Sequence, residues 1–191
     1  MALNPGSSAP MSPSRAARAL CPHCGFCCNG VLFGDVRLRP GDVPERLAQL
    51  GLGLHGPPGR QRFLQPCSCF DGRLCRIYAE RPERCRTFTC SLLQRLQQGR
   101  IDLTTARGIV TQAREQWARV LEALRSAGDP APHLPLHRRV ARALAEPLDL
   151  ADPRAAATRR RLLLAVQRLA RTLERHFLAP VRKPRGSQSR P

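Results

Sequence analysis

Nine cysteines lie between residues 21 and 90 of this 191-residue chain, and none lies outside that stretch. The first block reads Cys21-Pro22-His23-Cys24-Gly25-Phe26-Cys27-Cys28. A Cys-x-x-Cys pair folded into a tight knuckle brings two sulfurs onto one metal, while backbone N–H groups of the turn support the charge on the first. Pro22 fixes φ, and Gly25 tolerates the left-handed conformation with which a chain often leaves such a turn. Cys27 and Cys28 bring the block to four thiols. Because neighbouring side chains diverge, these two suit different metals, or different iron atoms of one cluster. The second block is Cys67, Cys69, Cys75, Cys85 and Cys90. Four and five thiols suffice for two four-cysteine sites with one thiol spare, or for one cluster with additional ligands. Soft thiolates select zinc and iron–sulfur clusters. A redox-active dithiol is a third chemistry, and thiols buried without a metal are the plain alternative.

The elements that must hold these residues are short in the cysteine-bearing segment and long after it. Residues 1–20, with Pro5-Gly6-Ser7-Ser8 and Pro10-Met11-Ser12-Pro13, read as a disordered leader. Asp42-Val43-Pro44-Glu45 predicts a short helix with Asp42 and Glu45 as a capping box, Leu47 and Leu50 on its apolar face, and Gly51 at its end. The glycines at 51, 53, 56 and 59 read as a flexible loop. Asp71-Gly72 predicts a tight turn between Cys69 and Cys75, and Pro82 starts a short helix carrying Cys85.

After Cys90 the pattern becomes helical. Ala106, Val110, Ala113, Trp117, Leu121 and Leu124 follow helical spacing up to Gly128 and Pro130. A shorter helix is expected over 136–145. A last one starts at Asp152 and Pro153, with Leu162, Val166, Leu169, Leu173 and Phe177 in one stripe. Arg154, Arg161, Arg168 and Arg175 recur every seven residues on its other side. Residues 179–191 read as a basic, disordered tail.

Composition narrows the function classes. The formal net charge is +18, shared as +7 over residues 1–95 and +11 over 96–191, and Lys183 is the sole lysine. Arginine-biased usage of this kind accompanies a GC-rich genome and explains much of the surplus. The rest leaves the partner unknown: the basic C-terminal helix could meet an anionic partner, nucleic acid or an acidic protein, but packing of its apolar stripe on the Trp117 helix with the arginines in solvent is the favoured reading. No apolar run reaches the length of a membrane span, and the N-terminus has no continuous apolar stretch of the secretory kind. The expected location is therefore cytoplasmic, a reducing compartment in which clustered cysteines read as metal ligands or redox groups. A Walker loop and a G-x-S-x-G elbow are absent from the sequence, and the G-x-G-x-x-G spacing at Gly51, Gly53 and Gly56 has no strand–turn–helix context around it, so no nucleotide site is expected there.

The first cysteine block, followed by Cys75-Arg76-Ile77-Tyr78-Ala79-Glu80-Arg81-Pro82-Glu83-Arg84-Cys85-Arg86-Thr87-Phe88, resembles the YkgJ-type cysteine-cluster family, described as a zinc- or iron-chelating domain. The resemblance covers about residues 21–90 and implies a metal site built from both blocks. By register it matches Cys67, with Phe70 three residues on, to the family's Cys-x-x-Leu element, and leaves Cys69 as the extra thiol. The ligand set it implies is Cys21, Cys24, Cys27, Cys28, Cys67, Cys75, Cys85 and Cys90. Tyr78, Arg81 and Arg86 fall among these ligands and are expected to orient them and offset their charge, while His23 is expected to face solvent.

The sequence thus predicts a mainly α protein in four parts: a leader (1–20), an irregular, metal-nucleated cysteine module (21–90), a helical hairpin or bundle against which it packs (91–178), and a tail (179–191). The expected function is binding of zinc or an iron–sulfur cluster. Alternatives are an iron–sulfur oxidoreductase or electron carrier, and a zinc-scaffolded module that binds nucleic acid. No catalytic residue stands out.

Overall fold

The structure is a computed structural model that describes residues 11–147 and 151–178. The expected tail, and the leader up to residue 10, lie outside the described residues. The fold is mainly α, with one small sheet.

Helix α1 (Pro13–Cys24) corrects the leader expectation for residues 13–20. Pro13 occupies the first turn, where a missing N–H costs nothing. The Ala- and Arg-rich run that follows favours helix, and Ala16 and Leu20, one turn apart, are both buried. Helix α2 (Pro44–Gln49) forms where expected, but its cap does not. Asp42 instead accepts from the N–H groups of Arg39 and Glu83, both at 2.8 Å, so it joins the start of α2 to the start of α3 (Glu83–Thr87).

Three strands went unforeseen: β1 (Asp35–Arg37), β2 (Leu54–His55) and β3 (Arg62–Leu64). They form an antiparallel sheet in the order β1-β3-β2, with Val36 and Leu54 both opposite Phe63. Strands this short carry no readable alternation.

Helix α4 (Ser91–Gln97) follows directly on Cys90 and buries Leu92, Leu93 and Leu96. Helix α5 (Leu103–Ser126) is capped by Asp102, whose carboxylate accepts from the Thr105 N–H at 2.6 Å. Helix α6 (Leu136–Ala145) has the expected bounds. Helix α7 (Pro153–Leu173) is capped by Asp152 and ends in a π-helical turn over Glu174–Leu178. None of the described helices is long and apolar enough to cross a membrane. The stripe of α7 packs on α5 through Leu162, Leu169 and Leu173, which leaves Arg161, Arg168 and Arg175 in solvent. Solvation accounts for these arginines by itself.

Two apolar clusters organise the molecule. The larger unites Ala16, Leu20 and Phe26 with residues of α4, α5, α6 and α7, ending at Phe177. It crosses the division expected at residue 90, because the apolar face of α1 is covered by α4 and α5. The smaller contains Leu47, Leu52, Phe63, Cys69 and Ile77 and underlies the cysteine-rich segment.

The loop before α6 is anchored by Asp129 and Arg139, whose carboxylate and guanidinium meet at 2.6 Å with side chains 1% and 12% exposed. Arg139→Ala leaves that carboxylate buried without its partner and is expected to cost about 3 kcal/mol of unfolding free energy, measured in urea.

Candidate metal centre

Cys21 and Cys24 occupy the last turn of α1, so they share a helix face instead of forming the expected knuckle. Pro22 is accommodated inside that turn. Gly25 ends the helix at φ 72°, and its N–H donates to the Cys21 carbonyl at 3.2 Å. A Cβ at Gly25 would also stand 2.9 Å from the Phe70 ring. Glycine is therefore required there by conformation and by contact with the second block.

Phe26 then enters the larger core, with ring centroids 6.1 Å from Trp117 and 5.7 Å from Phe177. This anchor turns the chain so that Cys27 and Cys28 follow immediately beside it. Arg114, from α5, donates to the carbonyls of His23 and Cys24 at 3.2 and 3.4 Å and holds the end of α1. His23 itself is exposed, as expected.

The second block is tied to the first through backbone. The Cys67 N–H donates to the Cys28 carbonyl at 2.8 Å. Gly30, at φ 81°, sits between Pro66 and Pro135, and its carbonyl accepts from the Leu136 N–H at 2.9 Å. Phe70 pairs with Cys75 around the Asp71-Gly72 turn, in which the Asp71 carboxylate accepts from the Arg73 and Leu74 N–H groups. Cys85 is carried by α3, and Cys90 precedes the first turn of α4.

These elements surround a cavity of about 870 Å³. Cys21, Cys24, Cys27, Cys28, Cys67, Cys75, Cys85 and Cys90 all line it. Cys69 does not: it is fully buried in the smaller core, with its Sγ 3.7 Å from the Leu50 carbonyl. The structure thus brings together all eight cysteines implied by the resemblance and sets the ninth apart. All nine are free thiols. Among the described residues, no group of three or more His, Cys, Asp or Glu side chains stands in an arrangement that could hold a metal ion. The eight thiols face a common space without closing on a point within it.

Burial is the main cause of raised thiol pKa values here, with neighbouring cysteines adding to it at every one but Cys90. Cys24, Cys67 and Cys85 are pushed up to about 12, and Cys21 and Cys28 to about 11. Cys27, Cys75 and Cys90 also move up. The metal-free thiols therefore keep their protons at neutral pH. Above pH 9.0, the ordinary thiol value, the unfolded chain releases protons that the folded chain still holds. Stability contributed by these groups is present below pH 9.0 and is lost as pH climbs towards about 12. Melting the metal-free protein at pH 8 and at about pH 10.5 should show this fall.

Arg81 opposes the rise at four thiols: Cys21, Cys28, Cys75 and Cys85. Its guanidinium carbon lies 3.7 Å from the centre of the Tyr78 ring, Nη1 donates to the Tyr78 carbonyl at 2.7 Å, and Nε to that of Cys85 at 3.4 Å. Tyr78, Arg81 and Arg86 all reach the cavity wall, while Glu80 pairs elsewhere, with Arg46 at 2.8 Å. Sequence reasoning missed Arg114 and Gln65. Gln65 is a buried residue of the cavity wall whose Oε1 has no hydrogen-bond partner. Neither carries a local signal, because what matters at each is contact with chain distant in sequence.

Cysteines of both blocks thus line one cavity. Compared with protein-family models, curated proteins and solved structures, the chain matches none of them.

Proposed function

We propose that this protein binds a thiophilic metal, zinc or an iron–sulfur cluster, in the cavity between its two cysteine blocks, and that it is a member of the YkgJ-type cysteine-cluster family. The observation that carries the reading is the selection among thiols. Eight cysteines drawn from both ends of a seventy-residue segment line one cavity, and the ninth is packed away from it.

The chemistry of the donor set suits the group. Soft sulfur ligands select zinc and iron–sulfur centres over hard cations. A metal replaces the protons that burial otherwise holds on these thiols, so uptake releases protons and strengthens with pH. Closing on the metal requires the thiol side chains to turn inward from where they stand. Arg81, held by Tyr78 and by two backbone carbonyls, offsets negative charge on the resulting thiolates. When bound, the group supplies either a structural cross-link or a one-electron redox centre.

Purification without oxygen followed by elemental analysis tests this. At least one zinc or iron centre per chain is expected, and well under one after careful reconstitution overturns it. The visible spectrum of the same sample separates the two metals. Zinc leaves the protein colourless, whereas an iron–sulfur cluster absorbs broadly near about 400 nm and supports the electron-carrier alternative.

A further inference from the structure

Building on the metal-binding reading above, we infer that the eight cavity thiols form two separate four-thiolate sites: Cys21, Cys24, Cys27 and Cys90 in one, and Cys28, Cys67, Cys75 and Cys85 in the other. The adjacent pair Cys27-Cys28 is the point at which the chain passes from the first site to the second.

The division follows the packing. α1 and α4 pack on one another, which sets Cys21 and Cys24, at the end of α1, near Cys90 at the start of α4. Cys24 and Cys90 both pack against the larger apolar cluster. Cys67, Cys75 and Cys85 all pack against the smaller one. Cys28 belongs with them, because its carbonyl is bonded directly to the Cys67 N–H.

Arg81 acts on one member of the first set and three of the second, so a single fixed cation serves both. Four thiolates around a divalent zinc carry a net charge of two minus. Two such centres side by side repel, and a guanidinium near both reduces that cost.

The test uses the full-length wild-type protein, reduced and free of metal, titrated with zinc alone. After each addition, unprotected thiols are alkylated in a short pulse and mapped by fragment mass spectrometry, and native mass spectrometry counts the zinc. Two zinc ions per chain are expected, with protection arriving as two sets of four matching the sites above. In parallel, Cys24→Ser with Cys90→Ser should leave one zinc, protecting the second set, and Cys67→Ser with Cys85→Ser should leave one, protecting the first. Full protection of all eight thiols by one zinc-binding event, or protection of a set that mixes the two groups, overturns the division while the metal-binding reading stands. Failure of zinc to protect any thiol of the wild-type chain overturns both.

Discussion

Stripping the metal with a strong chelator is expected to release residues 35–90 into hydrogen exchange at least a thousandfold faster, while α5 and α7 keep their protection. The asymmetry follows from how the two cores are built. The larger joins side chains of α1, α4, α5, α6 and α7 around Phe26 and has enough apolar surface to stand without help. The smaller has five buried residues beneath three short strands and two short helices. Burial of that size offsets little of the chain entropy of fifty-odd residues. Structural zinc in small domains contributes about 10 kcal/mol or more, so the loss should be concentrated where the thiols cross-link the chain. Unchanged exchange across residues 35–90 after complete metal removal would show that the segment folds on its apolar contacts alone.

Phe26→Ala is expected to cost about 4 kcal/mol of unfolding free energy, the range for removing a fully buried phenylalanine that its surroundings cannot replace. The ring is 0% exposed and is held by Trp117 and Phe177 from α5 and the final turn. Its position in the chain makes a second effect specific. Phe26 stands between Gly25, which contacts Phe70, and Cys27, so a cavity there loosens the turn that orients both adjacent cysteines. Metal affinity should fall with stability. Phe26→Leu, which keeps most of the volume, should recover affinity and most of the stability, at a cost of about 1.5 kcal/mol. Equal metal affinity in all three proteins, measured by competition with a coloured chelator, would separate the core from the site and contradict this coupling.

The long helices were legible because their signals are local and repeated. The α5 and α7 stripes, the Asp152-Pro153 start and the bounds of α6 follow from spacing and end residues. The α1 helix was hidden by its prolines: Pro13 reads as a breaker until the chain beyond it is seen to start a helix there. Asp42 shows a different limit. Its spacing to Glu45 meets the requirement for a capping box, yet its carboxylate bonds the Glu83 N–H from a distant part of the chain. Such a bond has no signature within a few residues. The eight cysteines lining the cavity were those that the family resemblance implies, and the choice of Cys67 over Cys69 rested on register alone. Cys69 differs in burial, which the run Cys67-Ser68-Cys69 does not reveal.

X-ray absorption at the metal edge of protein purified without oxygen addresses the central claim most directly. The account predicts a first shell of four sulfur atoms at about 2.3 Å, for zinc or for an iron–sulfur cluster alike. A shell dominated by nitrogen and oxygen, or sulfur coordination that persists when Cys67, Cys75 and Cys85 are replaced by serine together with Cys24 and Cys90, would contradict it.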